Sequence, residues 1–376
     1  MAGSLIDGSG AEVRRHVFLE VTDGIIAVIG PVADLPRHAG AVSDDFSHCT
    51  MLPALVDCSV SLARSPAVDR GVRLSTEEAG PAAKAALVER HIRYCHAHGV
   101  QGVAASDEIT DLLAPDRAGQ APGGIIDIRA AGGDFLKLGY SGNIEDEEAP
   151  SPRLTQEDLG RILRHRGGKK AVVVANGCKQ VEEALEAGCD AIEQGYGMGE
   201  DNLRQMAAKG VLWIPSVLRA KSALDGAGGG GEVACRFSQR YVAPGKPLPG
   251  VEAFWKKMLA EQLAQLSFAR KVGLSTAVGT GAGSVGILHG ESMVEEMKLF
   301  IKAGYSLAET IRCASENGAK FFGLERLGRL TVGRNATFLL TRGTVQQLPR
   351  KLSYLEGIYV DGVPSIIYRK NPVKPA

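Results

Sequence analysis

What the chain lacks narrows it first. Its 43 Lys plus Arg are matched by 43 Asp plus Glu, so no excess of either sign argues for nucleic acid or an anionic membrane surface as partner. No apolar run approaches the ~20 residues needed to cross a bilayer. The opening Met-Ala-Gly-Ser-Leu-Ile-Asp-Gly-Ser-Gly has neither the basic segment nor the apolar core of an export signal. The seven cysteines, at 49, 58, 95, 178, 189, 235 and 313, include no Cys-x-x-Cys pair and are odd in number, which fits reduced thiols rather than a disulfide framework. These absences lead to the expectation of a cytoplasmic protein with no membrane span and no nucleic-acid partner.

What is present fits a globular enzyme-sized fold. With 376 residues, 44% hydrophobic and 23% charged, the chain can bury one large barrel and a smaller companion domain. Residues 4–52 read as short strands: Gly8 and Gly10 mark a turn, Val17 to Val21 follows, and Asp23-Gly24 is a hairpin signal before Ile25 to Ile29. Further on, apolar runs of four to six residues alternate with helical patterns, which argues for parallel βα units. The clearest are Ala171 to Val174, the helix around Val181 to Ala187, Ala191-Ile192, and Val211 to Ile214. Thr155 with Glu157 and Asp158 predicts a helix start, and Gly188 a helix stop. About eight such units between residues 52 and 322 predict a (β/α)8 barrel. Gly226 to Gly231 lacks the Lys-Ser or Lys-Thr and the leading strand of a phosphate cradle, so it reads as a mobile loop above the barrel.

Several segments carry a family resemblance. Leu52-Pro53-Ala54-Leu55-Val56-Asp57-Cys58-Ser59-Val60-Ser61 resembles the Pro-Gly-Leu-Ile-Asp-x-His-x-His signature of the metal-dependent amidohydrolase superfamily. Asp134 to Asn143 resembles its strand-four signature, whose Lys, carboxylated in the family, bridges two metals; Lys137 is kept. Val174-Ala175-Asn176-Gly177, the helix to Gly188, and Ile192-Glu193-Gln194-Gly195 align with its His-Ala-His-Gly and Ile-Glu-His-Gly block. Gly279-Thr280-Gly281-Ala282-Gly283, with His289-Gly290 downstream, aligns with Gly-Thr-Asp-Ala-Gly. The resemblance covers nearly the whole chain and is closest to the imidazolonepropionase-like and prolidase-like branch. It implies an α/β fold: residues 53–322 as a (β/α)8 TIM barrel, with residues 1–52 and 323–376 as the two halves of a small β-sandwich. It also implies homo-oligomers.

The resemblance places Ser59 and Ser61 at the strand-one metal His positions, Val174 and Gln194 at the strand-five and strand-six metal His, Asn176 at a neighbouring His, and Gly281 at the Asp that touches metal and acts as base. Serine is a weak ligand beside imidazole, and losing five such groups removes both metal cage and general base. The expectation is therefore no metal and no cofactor. Lys137 becomes the candidate catalytic residue, a plain amine whose pKa falls if poorly solvated, usable as a base or imine-forming nucleophile; the bland reading pairs it with Asp57 or Glu193. Ser59 and Ser61 read as pocket lining with no His to activate them, and Cys58 as packing behind the barrel. His289 and Tyr140 are further pocket candidates. His91, His96 and His98 form the one histidine cluster, but His96 and His98 splay by about 200° on a helix, so a favourable place near the helix C-terminus explains them.

Two functions follow from this reading. One is a metal-free pseudoenzyme serving as a binding or structural partner, for a small-molecule ligand or a protein. The other is a metal-independent lyase, cyclase or isomerase that uses Lys137, with C–N hydrolysis at a reduced metal site as a lesser third.

Overall fold

The computed structural model describes residues 1–38, 44–107, 109, 112, 125–141, 154–227, 232–233, 241–242 and 250–368. The chain opens with strands β1 (Ala2–Leu5), β2 (Arg14–Thr22), β3 (Ile25–Pro31) and β4 (Phe46–Pro53), which runs through Ala54 into β5 (Leu55–Val60). Helices α1 (Arg70–Glu77) and α2 (Pro81–Ala97) lead to β6 (Val100–Ala105), β7 (Asp127–Ala130) and β8 (Leu136–Gly139). Then come α3 (Gln156–Arg164), β9 (Ala171–Ala175), α4 (Cys178–Glu186), β10 (Ala191–Gln194), α5 (Gly199–Lys209), β11 (Leu212–Ile214) and α6 (Val217–Ala227). A short antiparallel pair, β12 (Glu232–Val233) and β13 (Tyr241–Val242), precedes α7 (Val251–Lys271), α8 (Ser292–Lys302), α9 (Leu307–Cys313) and α10 (Glu316–Phe322). The chain closes with β14 (Phe338–Arg342), β15 (Leu355–Val360) and β16 (Val363–Pro364).

Local chemistry sets these boundaries. Asp23 and Gly24 both have positive φ, 51° and 79°, the conformation that lets a two-residue turn follow strand twist, and β2 pairs with β3 around it. Thr155 caps α3, its side chain accepting the Asp158 N–H. Ser306 and Glu309 close a reciprocal capping box on α9. The Gly-rich stretch begins inside α6, which includes Gly226, so that part is helix rather than loop; residues 228–231 lie outside the described residues.

The two chain ends meet in one seven-stranded sheet, ordered β16-β15-β14-β4-β1-β2-β3. Strand β1 runs parallel to β4, and β14 runs antiparallel to it from Phe338↔Pro53 to Arg342↔Cys49. Strands from both flanks thus share one sheet, and among the described residues all seven are hydrogen-bonded in that single sheet rather than in the two sheets of the expected β-sandwich.

The parallel strands form sheets of three, β5-β6-β7, and four, β11-β10-β9-β8. Strands β5, β6, β9 and β10 are buried at every residue, as parallel strands covered on both faces must be. Residues 275–282 connect the sheets: the Trp213 N–H binds Ser275 O at 3.0 Å, the Cys58 N–H binds Val278 O at 2.9 Å, and the Gly281 N–H binds Ser59 O at 2.8 Å. Between β7 and β8 there is no strand ladder among the described residues, but a bridge from Ala131 to Phe135. A continuous closed barrel ladder is therefore not formed among the described residues. No helix among them is long and apolar enough to cross a membrane.

Candidate functional site

Polar side chains from four parallel strands or the turns that follow them, β5, β6, β8 and β10, converge in one cluster. Lys137 on β8 is the centre. Its Nζ lies 2.6 Å from Oε2 of Glu193 on β10, with side chains only 14% and 2% exposed. The same ammonium donates to Ser106 Oγ at 2.7 Å, just past β6, and reaches Ser59 Oγ on β5 at 3.5 Å. Ser59 Oγ in turn donates to Glu193 Oε1 at 2.8 Å. Of the two partners the sequence offers Lys137, the structure selects Glu193.

A second carboxylate lies beneath this group. Asp57 Oδ1 accepts the Thr280 N–H at 2.9 Å and the Ser59 N–H at 3.2 Å, and Oδ2 accepts the Thr280 hydroxyl at 2.6 Å. Burial pushes the Asp57 carboxyl up to about 6, with the nearby Glu193 charge adding to it, against the lowering effect of the three donors.

The remaining predicted positions divide. Ser61 Oγ sits 2.8 Å from both oxygens of Asp107, which also accepts the Ala63 N–H. Ser59 and Ser61 therefore do more than line space: each is tied to a carboxylate. Val174 is a buried apolar residue in β9. Gln194 has φ +70° and accepts a hydrogen bond from Asn176 Nδ2 at 2.7 Å, while Asn176 Oδ1 accepts the Tyr196 N–H. Gly281 has φ +73°, and a Cβ there would lie 3.1 Å from Cδ and 3.2 Å from Cγ of Arg219. An Asp side chain there would start against the aliphatic stem of Arg219 from α6, which would have to shift by a few tenths of an ångström.

Tyr140 turns out of this cluster, because side chains alternate along β8. Its hydroxyl donates to Glu183 Oε2 on α4 at 2.5 Å, and burial raises its pKa to about 12. His289 is buried rather than at an open mouth. Its Nε2 binds Ser61 O at 2.8 Å and its ring stacks on His91, centroids 3.6 Å apart, while His91 Nδ1 binds Leu62 O. Burial, then the neighbouring His91, push His289 down to about 3. In the histidine cluster the C-terminal explanation holds for His98, which bonds Tyr94 O. His96 is instead buried among Gln101, Ile125 O and Ser365. Cys58 is buried as expected, packed on Gly318 of α10.

Sequence reasoning missed Ser106, Asp107 and Arg219. The first two carried a signal, since they are the polar residues that directly follow the apolar run Val103-Ala104-Ala105. Arg219 carried none.

These donors do not fit the divalent metal that the resemblance implies. Ser59 and Ser61 point their protons at carboxylates, Val174 has no donor, the Gln194 side-chain oxygen is taken by Asn176, and the Arg219 side chain packs beside Gly281, which itself has no ligand atom. Among the described residues no group of three or more His, Cys, Asp or Glu is placed to hold a metal ion.

Comparison with known proteins gives the lineage. No curated protein matches the chain. In overall fold it is similar to a Xaa-Pro dipeptidase crystallised with methionine in its active site (TM-score 0.76, 18% identity, 97% of this chain and 98% of that one). It is also similar to A. niger ochratoxinase (TM-score 0.75, 16% identity, 96% and 94%). A third similar structure is a molinate hydrolase (TM-score 0.75, 14% identity, 100% and 96%). The model of the amidohydrolase family matches residues 147–370, more than half the chain, and the chain belongs to that family.

Proposed function

We propose that this is an amidohydrolase-fold protein that has lost the metal-dependent C–N hydrolase site and keeps the site as a metal-free pocket for a small-molecule ligand. The observation that carries the reading is the ion pair of Lys137 with Glu193 at 2.6 Å. In the family the equivalent Lys is a carbamate held by metals; here the amine is already satisfied by a carboxylate and two serine hydroxyls. A buried ammonium paired with a carboxylate is a self-contained electrostatic unit that needs no metal for compensation.

The architecture under this reading is a (β/α)8 barrel over residues 53–322, with 1–52 and 323–376 together supplying the companion β-sheet domain. The bridging of β11 to β5 by residues 275–282 supports it. The same reading makes the protein a cytoplasmic homo-oligomer that acts as a binding or structural partner. A second reading, metal-independent catalysis at Lys137, is favoured by one observation: the amine touches hydroxyls that can exchange protons with it.

The test is metal content by plasma mass spectrometry on protein expressed and purified with zinc, manganese and iron. Well below one metal per chain is expected. One or two tightly bound per chain, with chelator-sensitive hydrolysis of amides or lactams, would overturn the proposal.

A further inference from the structure

We propose that a cationic groove between α8 and the helical turn Arg350–Ser353 binds a phosphomonoester that carries a flat ring, a ligand of nucleoside-monophosphate size. The groove lies outside the Lys137 cluster, and the inference holds whether or not that cluster is metal-free.

The geometry of the groove comes first. Glu295 and Lys298 of α8 face Arg350, Lys351, Ser353 and Tyr354 across a concavity of about 400 Å³. That volume falls within the roughly 300–1,000 Å³ usual for small-molecule sites. Both walls are anchored in the core. Leu352 of the turn is 1% exposed, and α8 buries Met293, Met297 and Phe300. The polar residues between these anchors are thus held over the opening by a fixed backbone.

The charge of the groove is unbalanced. Three cations, Lys298, Arg350 and Lys351, share it with one carboxylate, Glu295, which pairs with Lys298 at 2.6 Å. Among the described residues neither Arg350 nor Lys351 has a carboxylate partner. Adjacent on one turn, these two cations repel each other, and a dianion between them turns repulsion into attraction. A phosphomonoester carries a charge of about −1.5 to −2 at neutral pH, which matches two unpaired cations where a monocarboxylate matches one. The guanidinium fork of Arg350 suits two phosphate oxygens, Lys351 adds a point charge, and the Ser353 hydroxyl is a further donor. Tyr354 supplies the preference for a ring. Its side chain lines the same concavity and the residue is 61% exposed, so an aromatic group attached to the phosphate gains an offset-stacked or edge-to-face contact.

The experiment is isothermal titration calorimetry of the full-length protein at low ionic strength, with adenosine 5′-monophosphate as the probe and inorganic phosphate and adenosine as its two halves. One nucleotide per chain is expected, at least about tenfold tighter than phosphate because of the ring, with an affinity that falls as salt rises. Arg350→Gln/Lys351→Gln should weaken nucleotide binding at least about tenfold. Tyr354→Ala should bring the nucleotide down to the level of phosphate and leave phosphate binding as it was. Glu295→Gln removes the one opposing charge and should tighten nucleotide binding about two- to threefold, a gain that a damaged fold does not produce. Absence of saturable binding, adenosine binding as tightly as the nucleotide, or undiminished binding to Arg350→Gln/Lys351→Gln overturns the proposal. Equal affinity for phosphate and nucleotide overturns the assignment of the ring to Tyr354.

Discussion

Replacing Lys137 by Met isolates the electrostatics of the site. Glu193 is 2% exposed, and its Oε2 has the Lys137 ammonium at 2.6 Å as its compensating charge. Methionine fills a similar volume without charge, leaving the carboxylate buried with only the Ser59 hydroxyl as a donor. Breaking a buried pair from one side destabilises by about 3–5 kcal/mol. At an m-value of about 3 kcal/mol/M, that moves the urea midpoint down by about 1–1.7 M. Glu193→Gln should lose less, because the lysine, 14% exposed, can swing its head toward water. The double variant Lys137→Met/Glu193→Gln removes both charges and should return to within about 2 kcal/mol of the parent. The assay is equilibrium urea unfolding of all four proteins, read as a double-mutant cycle. A loss under 1 kcal/mol for Lys137→Met, or strictly additive losses, would refute the claim that the pair organises the site.

Three further outcomes are expected. Gly281→Asp, which restores the family's residue, should cost about 1–2 kcal/mol for the left-handed backbone alone, add crowding against Arg219, and leave metal content unchanged; stoichiometric zinc in this variant would contradict the site description. Asp57 is protonated more readily in the folded state, with its carboxyl raised from 3.8 to about 6 by burial. Its contribution to stability is therefore full below pH 4 and lost as pH rises through about 6, so the melting temperature should fall across that window more steeply in the parent than in Asp57→Asn. His289, held down near 3, should show no imidazole titration between pH 5 and 8 by NMR, and a midpoint near 6.5 would show that the His91 stack opens in solution.

Much of the local structure was legible from the sequence because near-neighbour chemistry decides it. The run Ala171 to Val174 became β9, the pattern ending before Gly188 became α4, and Asp23-Gly24 became the β2–β3 turn. The choice of Glu193 over Asp57 was not legible, since both lie on buried strands and only the register between β8 and β9, and between β9 and β10, brings Glu193 to the amine. Ser106 approaches Lys137 across 31 positions, and Arg219 covers Gly281 across 62. Neither proximity leaves a trace in local periodicity. Tyr140 was misplaced for a simpler reason: it is an odd number of residues from Lys137, so an extended strand turns the two to opposite sides.

The pairing of β4 with β14 brings residue 53 against residue 338, so the start and the end of the chain are sewn together across everything between them. A single protease nick between those strands would leave two fragments still joined edge to edge, and size-exclusion chromatography would report one particle where a denaturing gel reports two bands. On the ribosome the same arrangement works in reverse: β1 and β4 emerge hundreds of residues before β14, and this sheet completes last.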